Sequence, residues 1–333
     1  MDPRSVRGLV RPSAPTEHSD APATTTPRAP GSLARVLWQR RVPLIITHAS
    51  LGGLDEGDGL DGDGNASDRE KRKKALFYAT FVPRFGYLAQ LLPRLTAFFG
   101  LPCTSFHFED VPLRNLPVGL LLDLYRPVVL QSGYSSMSSS SISAERTPWR
   151  LVVADGEAWH LGDTFLNGAK EADYVRYGSA KQIMSLSKEN TEALWHAVQD
   201  NDYKAFSRVN GLLLNAPTPL RHIPLRLYIP TTAPPAQTTE NAAAASTAET
   251  PAKPGSYKVM QTLVQPRTSN RQQQTLGPAL RSLLPLLFPS SRDPVLANVI
   301  LHGAPVPFQA PLEDLMREAA YPDGWLCLVV VLF

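Results

Sequence analysis

His222-Ile223-Pro224-Leu225-Arg226-Leu227-Tyr228-Ile229 alternates side by side: Ile223, Leu225, Leu227 and Ile229 fall on one side of an extended chain. That period of two predicts a strand with one face on a core. Tyr257-Lys258-Val259-Met260-Gln261-Thr262-Leu263-Val264 alternates again. The Pro/Ala/Thr-rich stretch 231–255 between them reads as a loop inserted into a hairpin.

Downstream, residues 275–288 carry Leu280, Leu283, Leu284 and Leu287 at helical spacing, with Thr275 placed as the N-cap. Residues 295–301 read as a strand, Pro311-Leu312-Glu313-Asp314-Leu315-Met316 as a short helical turn, and 325–332 as a closing strand. Hairpin, helix, strand, turn and final strand is the order of a β-grasp, the ubiquitin-like fold. In it a mixed sheet wraps one face of a helix and makes a core in ~80–110 residues.

The first half repeats that order. Ser32 is an N-cap for Leu33-Ala34-Arg35-Val36-Leu37-Trp38, and strands are expected over 43–47 and 75–82. Residues 87–99 read as an apolar helix on Leu88, Leu91, Leu92, Leu95 and Phe98, with Pro93 forcing a kink or a late start. Residues 104–108, 118–124 and 148–153 read as three further strands. Between the halves, 161–214 has apolar residues at helical spacing, with Ser187 and Asn201 as caps. The fold class is α+β: two ubiquitin-like β-grasp domains flanking a helix-rich domain. The expected division is a disordered leader at 1–31; a first ubiquitin-like domain with its N-terminal helix at 32–155, with loop insertions at 52–74 and 132–145; a helix-rich domain at 160–216; and a second ubiquitin-like domain at 220–333.

Composition narrows the function. The formal charge of +3 over 333 residues gives no global field for nucleic acid. Arg69-Glu70-Lys71-Arg72-Lys73-Lys74 reads as a solvated loop, and Arg35, Arg40 and Arg41 as a solvated face with anionic lipid as the alternative. The N-terminus lacks a secretory h-region, and no apolar run nears the ~20 residues that span a bilayer. Cys103 and Cys327 form no metal spacing and no disulfide framework, so a cytoplasmic chain is expected. There is no Gly-rich phosphate loop and no zinc signature, so no cofactor or metal is expected. His107, His222 and His302 are isolated on strand-like segments, and a hydrolase built on Cys103 or Cys327 is disfavoured because both read as packing cysteines. A transferable ubiquitin-like modifier needs a flexible glycine tail. The chain ends on Phe333 after a strand, so a recipient is expected, not a donor.

Near the start of the helical segment lies Phe165-Leu166-Asn167-Gly168-Ala169-Lys170-Glu171-Ala172-Asp173, where by itself Lys170 reads as a solvated helix lysine. As a helix, Phe165, Ala169, Ala172 and Arg176 line one face, and Lys170 points roughly 140° from its middle at ~100° per residue. Pro148-Trp149-Arg150-Leu151-Val152-Val153, Lys170-Glu171-Ala172-Asp173, Met184-Ser185-Leu186-Ser187-Lys188, Tyr321-Pro322-Asp323-Gly324-Trp325 and Leu116-Pro117-Val118-Gly119-Leu120-Leu121 together resemble the autophagy protein 5 family in its fungal form. The resemblance runs from about residue 32 to 333; between Val153 and Phe165 the chain is shorter than relatives usually are.

The resemblance implies that Lys170, opening the Lys-Glu-Ala-Asp motif, accepts the ubiquitin-like autophagy protein 12 through an isopeptide bond. It implies non-covalent binding of the coiled-coil autophagy protein 16, transient contact with the pathway's conjugating enzymes, and peripheral contact with the membrane of the preautophagosomal structure. The assembly would then act like a ligase that promotes transfer of autophagy protein 8 to phosphatidylethanolamine, the chain itself being non-catalytic. Asp173, one turn on, is placed to steady or orient the Lys170 ammonium. The competing reading is a ubiquitin-like adaptor that is never conjugated.

Overall fold

A computed structural model describes residues 32–51, 76–127, 147–156, 161–231 and 257–333. The leader 1–31, the loops 52–74 and 132–145, and 232–255 of the third insertion lie outside the described residues. The chain begins with α1 (Ser32–Gln39), β1 (Arg41–His48), β2 (Phe77–Pro83), α2 (Leu92–Phe99), β3 (Ser105–Phe108), β4 (Val111–Pro112), α3 (Val118–Tyr125) and β5 (Trp149–Ala154). Next come α4 (Leu161–Tyr177), α5 (Lys181–Met184), α6 (Lys188–Asp200) and α7 (Tyr203–Leu214). It closes with β6 (Ile223–Pro230), β7 (Tyr257–Val264), α8 (Leu276–Leu283), β8 (Ala297–Leu301), β9 (Ala304–Pro305), α9 (Leu312–Ala319) and β10 (Leu326–Leu332).

Two five-stranded sheets share one topology, β2-β1-β5-β3-β4 and β7-β6-β10-β8-β9. In each, the first and last strands run parallel at the centre and every other pair is antiparallel. The match extends to a detail the order of elements does not require. Both short hairpins turn on two residues of positive φ, Glu109 (48°) and Asp110 (62°) in one, His302 (52°) and Gly303 (76°) in the other. Two-residue hairpins favour this geometry because its twist matches that of the strands. The doubled β-grasp is therefore a property of the backbone, although the two halves share little sequence.

The alternating face expected for 222–229 is the core face: Ile223, Leu225 and Leu227 are buried against Leu276, Ala279 and Leu280 of α8. In the first sheet, Val42, Leu44 and Ile46 pack with Leu95 and Phe99 of α2. Pro93 produces the late start: Leu88–Leu91 forms a 3-10 turn, and the α-helix begins at Leu92 with the proline in its first turn, where a missing N–H costs nothing. Thr275 occupies the N-cap position of α8 without a side-chain cap bond, and α8 stops at Leu283, before Pro285. Ser187 caps α6 by accepting from the Asn190 N–H at 3.2 Å. Asn201 ends α6 in the left-handed region, and Asp202 caps α7, accepting from the N–H groups of Lys204 and Ala205.

Residues 118–124, expected as a strand, form the helix α3. Their apolar run is continuous because the helix is buried on two sides. Val118, Leu121 and Leu122 enter the core of the first sheet, while Leu120 joins the core shared by the helices and the second sheet. A helix buried all round shows no amphipathic stripe and cannot be told from a strand by periodicity. The turn expected at 311–316 is likewise a full helix, α9, in the equivalent place of the second sheet.

The two halves and the helices are bonded together. Trp38 of α1 packs on Phe85 (5.4 Å between ring centroids), Phe206 (4.7 Å) and Tyr203 (6.0 Å). Arg84 and Asp123 form an ion pair at 2.5 Å with side chains 0% and 5% exposed, and the same carboxylate accepts from the Gly303 N–H at 3.0 Å across the junction.

Candidate functional site

The expected face of α4 is its buried face: Phe165, Ala169, Ala172 and Arg176 are each 5% exposed or less. Lys170 lies at the edge of that face and is half-buried, and among the described residues its ammonium makes no ion pair or hydrogen bond. The helix beneath it is docked on Tyr321-Pro322-Asp323-Gly324-Trp325, so two motifs far apart in sequence meet in space.

Three hydrogen bonds make the dock, and two further contacts hold Arg226 in it. The Trp325 indole Nε1–H donates to the Gly168 carbonyl at 3.1 Å. The Arg226 guanidinium stacks 3.9 Å from the centroid of the Trp325 ring, donates from Nη2 to Glu171 Oε2 at 2.8 Å, and lies 3.7 Å from Asp323 Oδ2. Arg176 Nη2 donates to the Gly324 carbonyl at 2.8 Å. Gly168 is a point of close approach, for a Cβ there would sit 3.2 Å from Asp323 Oδ2. Gly324 has φ of 84° and faces the Arg176 guanidinium, so both its conformation and its neighbour require glycine.

The charges are unusually deep. Burial pushes the Asp323 carboxyl up, opposed by the Arg226 and Arg176 guanidiniums and by the Trp325 N–H. Burial pushes Arg176 down, opposed by Tyr177, Asp173 and Asp323. Asp173 does not steady Lys170. Its carboxylate is fully buried and accepts from the Ile183 N–H at 3.0 Å, which fastens α5 to α4. Burial raises its pKa, offset in part by that hydrogen bond and by Arg176. Three residues turn a helix ~300°, and here the α4 core boundary falls between Lys170 and Asp173.

Sequence reading missed Arg226, Glu171, Asp323 and Arg176 as a group. A signal existed: Arg226 is a lone charge between Leu225 and Leu227 in a strand, on the side away from the core. Burial raises the thiols of Cys103 and Cys327, the opposite of what a nucleophilic cysteine needs. Of the three arginines near the start, Arg40 donates to the His302 carbonyl at 3.0 Å and Arg35 lies 6.0 Å over the Tyr203 ring. Where α1, α7 and α9 converge, a cavity of about 170 Å³ is lined by Trp38, Phe85, Tyr203, Phe206, Arg176 and Tyr321. Arg176 Nε and the Tyr321 hydroxyl are buried there without a partner among the described residues.

Two ubiquitin-like sheets locked to a four-helix segment, with a lysine-bearing helix seated on the second sheet, define a double β-grasp scaffold protein. Residues 160–216 match the family model "Autophagy protein ATG5, alpha-helical bundle region", and 222–330 match "Autophagy protein ATG5, UblB domain". The chain is 54% identical over 329 residues to Autophagy protein 5 of Chaetomium globosum, covering 97% of this chain and 100% of that one. It is 54% identical over 304 residues to Autophagy-related protein 5 of Neurospora crassa, covering 91% and 72%. The crystal structure of Kluyveromyces marxianus Atg5 superposes with a TM-score of 0.59 at 18% identity, covering 90% and 99%, a likeness of fold. The chain belongs to the autophagy protein 5 family, and its role lies in autophagy.

Proposed function

We propose that this chain is the acceptor scaffold of an autophagy conjugation system, taking autophagy protein 12 onto Lys170 through an isopeptide bond. With autophagy protein 16 it forms a ligase-like complex that promotes transfer of autophagy protein 8 to phosphatidylethanolamine. The observation that carries the reading is the presentation of Lys170: a half-buried lysine whose amine has no partner among the described residues, on a helix docked firmly to a folded domain. Chemically, the amine attacks the thioester carbonyl carbon, the C–N bond forms, the C–S bond breaks and the conjugating enzyme's thiolate leaves. An alkylammonium is protonated near neutrality and must lose its proton before or during attack. Asp173 is buried, accepts from the Ile183 N–H and makes no ion pair with Lys170 among the described residues, so the base is assigned to the conjugating enzyme. The chain is non-catalytic in this reading.

The cavity at the junction of α1, α7 and α9 supports a groove for an amphipathic helix of autophagy protein 16, which would lay its apolar side on Trp38 and Phe206. Assembly places the complex at the membrane of the preautophagosomal structure as a peripheral component, the chain being otherwise cytoplasmic. The test is Lys170→Arg in the native cell. The heavier conjugated species is expected to vanish from a blot while the free chain persists. A heavier species that survives refutes Lys170, with Lys181 next to be tried. A parent chain that shows no heavier form in its own cell supports the adaptor reading instead.

A further inference from the structure

We infer that Arg226 is a positioning residue for the acceptor lysine, acting through Glu171 and Trp325 to fix where the Lys170 amine stands. The inference rests on the acceptor reading above. Lys170 is bracketed along α4: two residues earlier the Gly168 carbonyl takes the Trp325 indole N–H, and one residue later Glu171 takes Arg226. Both contacts end in one assembly, because the guanidinium of Arg226 lies over the indole, 3.9 Å from its centroid. Asp323, 3.7 Å from the other terminal nitrogen, holds the guanidinium from the far side.

Arg226 serves stability through the buried Asp323, whose burial it opposes, but the Glu171 contact is not explained that way. The Glu171 side chain is 57% exposed, and such an ion pair is worth ~0–1 kcal/mol. The Arg226 side chain is 15% exposed and held over the Trp325 ring, so Glu171 is tied to a fixed donor at little gain in stability. What it fixes is geometry. The buried face of α4 and the Arg176–Gly324 hydrogen bond seat the helix as a whole, and a roll by one residue step would carry a side chain through ~100°. The two contacts of different chemistry on either side of Lys170 hold the stretch that bears the amine against residual roll and slide. Acyl transfer is sensitive to such placement, since a misplacement of ~1 Å costs about 10²-fold. Lys181 has no comparable bracket: it is exposed at the start of the single-turn α5, whose tie to α4 is the Ile183 N–H. The clamp thus also selects Lys170 over its neighbour.

The test is single-turnover transfer to the full-length chain from autophagy protein 12 held as a thioester on its conjugating enzyme. Glu171→Ala and Arg226→Ala are expected to lower the maximal rate by about 10–100-fold, with the half-saturating acceptor concentration within about twofold of the parent. The rise of rate with pH should keep its shape, because the amine is misplaced and its proton equilibrium is not the target. Arg226→Lys should fail to restore the rate, as an ammonium neither stacks flat nor forks. Peptide mapping of the slow product should show a larger share at Lys181. Glu171→Ala should unfold at the parent's temperature, so it decides the matter if Arg226→Ala does not fold. Parental maximal rates in both alanine variants overturn the inference, as does a loss that resides in half-saturation, which would make Arg226 a contact of the donor enzyme. Undiminished transfer to Lys170→Arg strikes the acceptor reading itself.

Discussion

Replacing Asp123 by alanine tests whether the first ubiquitin-like domain is held by a charge pair at the junction with the second. Both carboxylate oxygens face Arg84 Nη2, at 2.5 and 2.6 Å, and one also accepts from the Gly303 N–H at 3.0 Å. Arg84 lies on the loop after β2 with its side chain wholly buried, its Nη2 also donating to the Gly119 carbonyl at 3.2 Å. The substitution leaves that guanidinium buried with its charge no longer balanced by Asp123, at a cost of about 3–5 kcal/mol. Stranding the Gly303 N–H adds about 1–3 kcal/mol. The two losses share one carboxylate and do not add fully, so the expected total is about 4–6 kcal/mol. That approaches the whole stability of an ordinary domain.

Urea unfolding followed by tryptophan fluorescence suits the measurement, since Trp149 is fully buried in the first sheet's core. The transition of the first domain should shift to markedly lower urea. The paired replacement Arg84→Met with Asp123→Leu should return most of the loss, because removing both charges leaves none uncompensated. A cost below about 1 kcal/mol for Asp123→Ala would refute the burial argument. A double variant no better than the single would show that shape, not charge, holds the junction.

Three further outcomes follow from other contacts of the fold. Gly324→Ala puts a side chain at positive φ and against the Arg176 guanidinium; it should cost about 2–4 kcal/mol in thermal or urea unfolding and slow transfer to Lys170. His302 is buried with its Nε2 2.8 Å from the Ala319 carbonyl, and burial beside Arg84 and Arg40 pushes its pKa down from 6.5 to about 3. The unfolded chain then binds a proton that the folded chain refuses, so stability is full above pH 6.5 and falls as pH drops toward about 3. Between the unfolded value and about pH 5 the loss should be about 2 kcal/mol, at ~1.4 kcal/mol per pH unit. Asp173 and Asp323, whose pKa values are raised, act in the opposite direction, so the difference between parent and His302→Gln isolates the imidazole. Equal pH slopes in the two proteins would refute the assignment. Lys170→Arg should leave the unfolding temperature within error, since its ammonium makes no ion pair or hydrogen bond among the described residues.

The sequence by itself determined the doubled order of elements and the core faces of β6 and α4. Each rests on a side-chain period, and a period survives whenever one side of an element meets a core and the other meets water. It failed at α3, where both sides are buried and the apolar run carries no phase. The repeat itself held a remedy, for α9 occupies the same place in the second half and was read as helical. Tertiary structure alone decided what surrounds the lysine. Asp173 turned inward to Ile183, and Arg226 and Trp325 reached α4 across separations of 55 and 157 residues. Local periodicity says which way a residue faces. It does not say which distant residue it meets, because that depends on how the packed helices and the second sheet close on one another.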